Sequence, residues 1–127
     1  MVKTSEEDPA GDGRLDGRGR AALAATARQP AEKGGGDVII TRAEEPALAL
    51  VDGRLVEVAP PRLEALDHRG AGDSLTAGVV AALARGDDLL TGLRLGAAAG
   101  AMNVTRRGLG TGNRSEIERL AQLVEIR

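Results

Sequence analysis

The sequence predicts an α/β fold, with short strands and a β-hairpin followed by packed C-terminal helices. Three observations predict it. Two aliphatic runs, Asp37–Thr41 and Ala47–Val51, have the length and β-branched or aliphatic content of buried strands. Asp52-Gly53 stands between the second run and Leu55–Val58, and Asp-Gly favours a two-residue hairpin turn. Beyond Asp67 the chain carries helical periods and capping residues rather than alternation. Strands followed by helices that cover them are the α/β arrangement.

The elements follow in order. Residues 1–20 are polar and glycine-rich. Val2-Lys3 reads as the tail of a strand, and Glu6-Glu7-Asp8 suits a helix start that Pro9 and the glycines stop early. Gly11–Gly17 superficially resembles an Asp/Gly cation loop but lacks the terminal Glu and the flanking helices of an EF-hand, so it reads as a flexible loop. Residues 21–33 read as a helix damaged by Pro30, and Gly34-Gly35-Gly36 ends it.

After the two strands and the hairpin, Pro60-Pro61 breaks the pairing and Leu63–Asp67 leads into a glycine turn. One helix is expected from about Gly72 to Arg85, with its apolar period at Leu75, Val79 and Leu83. Gly86-Asp87-Asp88 caps a second, expected from about Leu89 to Thr105. That helix is apolar nearly all round and rich in Gly and Ala, which predicts burial with close backbone contacts. Asn113-Arg-Ser-Glu116 suits a capping box for a last amphipathic helix that uses Ile117, Leu120 and Leu123.

Composition sets limits on function. A chain of 127 residues is enough for one small domain. The formal charge of −2 argues against nucleic acid, which calls for a basic excess. With no Phe, Tyr or Trp there is no aromatic platform for a base, and the core is left to Ala, Leu, Val and Ile. The 18 glycines are about twice the usual ~7% share, which predicts marginal stability. The absence of cysteine excludes a disulfide framework and is compatible with a reducing compartment. The opening residues lack the apolar core of a signal peptide, and no later run is long enough to span a membrane. A cytoplasmic location is the expectation.

Chemistry concentrates in Asp67-His-Arg-Gly70-Ala71-Gly72-Asp73-Ser74. A strand, a glycine turn and a helix start in succession put unpaired N–H groups and the positive end of the helix dipole at one point, an anion site. Asp73 would sit beside that anion, which is unfavourable unless the carboxylate has a task. Taking a proton from an attacking hydroxyl is such a task. A plain turn with a polar cap is the competing reading. His68 is the single histidine, with no Cys beside it, and reads as a loop residue rather than a metal ligand.

These residues resemble the C-terminal signature of the ribokinase-like (PfkB) carbohydrate kinases: Asp67-x-x-Gly70-Ala71-Gly72-Asp73, with Ser74 and Ala77-Gly78 behind it. Asp37–Thr41, the Asp52-Gly53 hairpin and Pro60-Pro61 fall where that family has the same elements. Leu95–Gly110 looks like its nucleotide-side helix and loop. Val2–Asp8 resembles its Lys-x-Asn/Ser-x-x-Glu/Asp segment more loosely, and residues 9–36 match poorly. The resemblance implies a single partial kinase domain over residues 1–127, with 1–36 as a flexible leader and 37–127 carrying the nucleotide side and the catalytic turn.

It also implies roles. Asp73 would be the general base for the sugar hydroxyl, and the amides of Gly70, Ala71 and Gly72 the anion hole. Ser5 and Asp8 would help place a magnesium–phosphate cluster. Thr41 would approach the nucleotide phosphates. Asn103 would lie near the adenine, a reading that competes evenly with a helix-packing donor. Asp67 and the loop after Arg107 would border a monovalent-cation site. Arg106-Arg107 is read either as steering phosphate or as an exposed basic pair at a helix end. The implied cofactors are ATP and Mg2+, with K+ in some relatives, and the implied substrates are a sugar and ATP.

The departures weigh on activity. The family's Thr-x-Gly-x-x-Gly stands here as Thr41-Arg-Ala43-Glu-Glu-Pro46, so both glycines are lost. His68 stands where a small residue is usual. The family's N-terminal half, with its sugar-binding acid and lid, has no counterpart here. The expectation is therefore an ATP-dependent sugar kinase, fructokinase- or ribokinase-like, by descent. Its alternative is a truncated, non-catalytic remnant that binds nucleotide or anion weakly, or pairs with another subunit or a separate N-terminal half. The chain alone is expected to show no phosphorylation of fructose or ribose and at most weak ATP binding.

Overall fold

The aliphatic runs become strands. In this computed structural model, which describes residues 1–6, 21–22, 24–25, 28, 31–42, 45–107 and 112–127, the chain forms two units, Met1–Glu57 and Val58–Arg127.

The first unit is built on β1 (Val2–Glu6), β2 (Val38–Arg42), β3 (Glu45–Val51) and the start of β4 (Arg54–Ala59), neighbours in that order. Glu6 belongs to β1 and not to a helix start, because β1 pairs in parallel with β2 along its whole length, from Val2↔Val38 to Glu6↔Arg42. Ala21, Ala22, Ala24, Ala25 and Arg28 have helical backbone, and Ala31–Gly35 is a helical segment kinked at Gly34 (φ 90°, ψ 9°). β2 and β3 are antiparallel, with an irregular register between Ile40 and Arg42. The β3–β4 hairpin turns on Asp52 (φ 48°) and Gly53 (φ 76°), the pair of positive φ values that a type I′ turn requires.

Val38, Ile39 and Ile40 are 0%, 1% and 2% exposed, so β2 is buried on both faces. One of those faces packs Val38, Ile40, Leu48 and Leu50 with Leu55. Arg42 is buried as well, and its guanidinium has polar partners. Nε donates to the Pro46 carbonyl at 2.8 Å, and Nη2 lies 3.7 Å from the Glu57 carboxylate.

In the second unit Val58 and Ala59 pair antiparallel with β5 (Glu125–Ile126). The strand, turn and helix expected in direct succession at the motif are interrupted, since β4 ends at Ala59 and residues 60–70 run as an irregular strap. Three helices follow: α1 (Ala71–Ala84), α2 (Leu89–Val104) and α3 (Arg114–Ala121). The buried period of α1 is Leu75, Val79 and Ala82, whereas Leu83, expected inside, is 38% exposed.

α1 and α2 meet through small residues at a spacing of four. A Cβ on Gly96 would lie 2.5 Å from the Leu75 carbonyl oxygen and 2.8 Å from Val79 Cγ2. One on Gly100 would lie 3.0 Å from the Ala71 carbonyl oxygen. The expected close backbone contacts are therefore present. They run antiparallel, from Gly92 against Val79 to Gly100 against Ala71. Fully buried Val79 and Leu93 each contribute roughly 1.5–3 kcal/mol of transfer free energy to this interface.

Asp88 caps α2 by accepting from the Thr91 amide at 2.7 Å, and Asn113 caps α3 by accepting from the Ser115 amide at 3.0 Å. The expected capping box stays half made, because the Glu116 carboxylate pairs with Arg106 at 2.9 Å instead of returning to Asn113. Ile117 and Leu120 are half-buried as expected, but Leu123 lies past the end of α3 and is 62% exposed. Val124 is buried in its place, and its carbonyl accepts from Arg94. Among the described residues no helix is long and apolar enough to cross a membrane.

Candidate active site

The glycine turn lies in the second unit, and three elements shape it. The α2 glycine stripe sets where α1 begins, through the close approach of Gly100 to Ala71. The end of α2 holds the strap, with the Leu66 and Asp67 amides both donating to the Val104 carbonyl, at 2.7 and 3.1 Å. Asn103, 1% exposed, sends its side-chain Nδ2 to the Arg69 carbonyl at 2.7 Å. This hydrogen bond ties the end of α2 to the strap.

Gly70 then takes φ 78°, ψ 2°, the left-handed conformation that glycine adopts without strain, and becomes the N-cap of α1. Lacking a side chain, it cannot cap. The Ser74 amide closes the first helical bond onto the Gly70 carbonyl at 2.9 Å, and Ala71 N–H reaches the His68 carbonyl only at 3.4 Å. Among the described residues the N–H groups of Gly72 and Asp73 find no acceptor. Helix starts normally fill such positions with a Ser, Thr, Asp or Asn side chain. Open amides at a helix start are the kind of group that binds anions. The open amides are thus those of Gly72 and Asp73; sequence reasoning named Gly70, Ala71 and Gly72 and missed Asp73, although helix geometry assigns the first three N–H groups to residues 71–73.

Asp73 lies in the first turn of α1 and is exposed. Its carboxylate has no hydrogen-bond partner among the described residues, so both oxygens are available for a proton. Asp67 differs. The Arg69 amide and Nε donate to Oδ1 at 3.0 and 3.1 Å, and Nε and Nη2 donate to Oδ2 at 3.1 and 2.8 Å. These bonds hold the Asp67 carboxyl down at about 2, and hold the Arg69 guanidinium above its usual range. Four contacts fill the acceptor sites of one carboxylate. In this structure Arg69 supplies the positive charge beside Asp67.

The other expected residues stand elsewhere. Thr41, in the first unit, is half-buried at the irregular register between β2 and β3, and pairs with Ser5 across the parallel ladder. Asp8, Ala43 and residues 108–111 lie outside the described residues. Arg106 is engaged with Glu116. Among the described residues no group of three His, Asp or Glu side chains could hold a metal ion.

Comparison with known proteins identifies the family. Residues 14–116 match the model of the pfkB family of carbohydrate kinases. The chain belongs to this family. The match begins well upstream of the strand at Asp37, so the pfkB likeness reaches into the region where residues 9–36 were read as matching poorly. Among curated relatives, the bifunctional protein HldE of Gluconobacter oxydans is 37% identical over 86 residues, which is 67% of this chain and 18% of that protein. The 1-phosphofructokinase of Vibrio cholerae is 27% identical over 90 residues, 71% of this chain and 28% of that enzyme.

Solved structures show the same fold. Phosphofructokinase-2 from Escherichia coli in complex with potassium superposes with a TM-score of 0.76 at 20% identity, covering 96% of this chain and 40% of that one. Ribokinase from Thermotoga maritima superposes with a TM-score of 0.72 at 24% identity, covering 79% of this chain and 34% of that one. The pfkB chain described here therefore has a ribokinase-like fold and spans well under half the length of the proteins it matches.

Proposed function

We propose that this chain carries the phosphoryl-transfer turn of an ATP-dependent carbohydrate kinase. The observation that carries the reading is the pairing of uncapped N–H groups at Gly72 and Asp73 with an unpartnered carboxylate on Asp73. ATP supplies the phosphoryl group. The Asp73 carboxylate takes the proton from the sugar hydroxyl as its oxygen bonds to phosphorus and the bond to the departing ADP breaks. The amides at 71–73 stabilise charge on the phosphoryl oxygens, which is where phosphoryl transfer needs the protein most. Thr41 is proposed to approach the nucleotide phosphates.

A second reading, a non-catalytic remnant with weak anion binding, is favoured by one observation. Pro46 and Ala43 replace the glycines of the phosphate-side turn, and Pro46 has no N–H to offer. The experiment titrates the purified chain with inorganic phosphate while following the backbone amides by NMR, and then assays ADP release with ATP, magnesium and fructose or ribose. Shifts at the Ala71–Ser74 amides are the expected result, and their absence sinks both readings. Turnover that Asp73→Asn abolishes decides for the kinase. Binding without turnover decides for the remnant.

A further inference from the structure

We propose that Asn103 is the positioning residue of the anion turn, holding the Arg69 carbonyl away from the Asp73 amide so that this amide stays open. The proposal rests on the reading of this turn as the phosphoryl site. Counted back by the helical rule, the residue four before Asp73 is Arg69, so the Arg69 carbonyl is the acceptor that an extended α1 would give the Asp73 amide. That carbonyl is instead drawn to Asn103 Nδ2 at 2.7 Å, across 34 residues of chain. The donor is rigidly placed. Asn103 is 1% exposed, on the last turn of α2, and the next residue, Val104, accepts from both Leu66 and Asp67.

The strap is thus fixed on both sides of Arg69. From Val104 the clamp sets Leu66 and Asp67, and from Asn103 it sets the peptide that enters Gly70. With that peptide held, Gly70 can keep φ 78° and end α1 one residue short of Arg69. A buried amide side chain is costly unless it is bonded, and this one is bonded to the backbone of the site. An ordinary packing asparagine would affect stability alone. A positioning asparagine also sets how open the Asp73 amide is, in a direction opposite to its effect on stability.

The test compares the full chain with Asn103→Leu, which has similar volume and no donor, and with Asn113→Ala, which weakens the chain at a cap remote from the turn. Amide hydrogen exchange at Asp73 is read first, without any ligand. In Asn103→Leu the released Arg69 carbonyl is expected to accept from Asp73, slowing its exchange about tenfold while global stability falls. Inorganic phosphate affinity is expected to fall about tenfold in the same variant and to hold in Asn113→Ala. If Asn103→Leu does not fold, Asn103→Ala, which also lacks a donor, supplies the same comparison. Unchanged or faster exchange at Asp73 overturns the inference. A chain that shows the exchange change but never responds to phosphate keeps the positioning role and loses the phosphoryl reading instead.

Discussion

Gly78 of α1 and Gly96 of α2 face each other so closely that a Cβ on Gly78 would stand 2.7 Å from the Gly96 Cα. No side chain fits between them, so the two helix backbones are in contact at this crossing. The register of that contact fixes where α1 starts, and α1 starts at the candidate site.

Gly96→Ala is therefore expected to destabilise the chain by about 2–3 kcal/mol, since its methyl would meet the Leu75 carbonyl and Val79 at 2.5 and 2.8 Å. Gly92→Ala is the matched comparison. Its nearest neighbours would be at 3.4–3.6 Å, ordinary contact, and the gain in helix propensity of up to about 1 kcal/mol is expected to leave it neutral or more stable. Urea unfolding of the two variants checks the pair. Equal losses would mean that the helices are not in register at Gly96.

Some of this was legible beforehand and some was not, for physical reasons. Asp52-Gly53 announces its turn because the turn's backbone selects those residues locally. The Gly/Ala content of α2 announces close packing, though not which glycine is critical, since that depends on the register against α1. The parallel pairing of Val2 with Val38 has no local signal, because it joins residues 36 positions apart. Leu83 and Leu123 follow the helical period yet lie outside, because Ala82 and Val124 fill the space. The Arg69 fork on Asp67 was missed because two charges two residues apart meet only where the backbone turns between them, as the strap does.

Arg42 gives a prediction for the first unit. Arg42→Ala removes both donors from the Pro46 carbonyl beside a buried strand end. A loss of about 1–3 kcal/mol is expected from that unsatisfied acceptor. Thermal unfolding followed by circular dichroism would record it, and a variant as stable as the parent would contradict the role given to this arginine.

The Asp67–Arg69 fork predicts a pH dependence of definite sign. In the folded chain the Asp67 carboxyl titrates at about 2, held down by the Arg69 side-chain bonds, against an ordinary 3.8. Between those values the unfolded chain binds more protons, so stability rises with pH there. The contribution is complete above 3.8 and is lost as pH falls toward about 2. Carboxyl carbon NMR should show Asp67 titrating near 2, and higher in Arg69→Ala, which keeps only the backbone amide bond to Oδ1. In the parent chain, replacing potassium by tetramethylammonium at equal ionic strength is expected to leave the melting temperature unchanged. A potassium-specific rise would show that a cation competes successfully with Arg69.

Asp73→Asn separates a base from a binding group. A carboxylate close to a bound phosphate repels it, and two unit charges about 4 Å apart in water cost about 1 kcal/mol. Asparagine has nearly the same shape and no charge, so the variant is expected to bind inorganic phosphate about fivefold more tightly than the parent. Any turnover by the chain, or by an assembly containing it, is expected to fall by about 10²–10⁴, the usual worth of a general base. Calorimetric titration with phosphate and the ADP-release assay read the two effects independently. Tighter binding with lost turnover is the signature of a base placed beside the anion it serves. Weaker binding in Asp73→Asn would mean that the carboxylate holds the anion, for instance through a cation, and the proton-transfer role would have to be withdrawn.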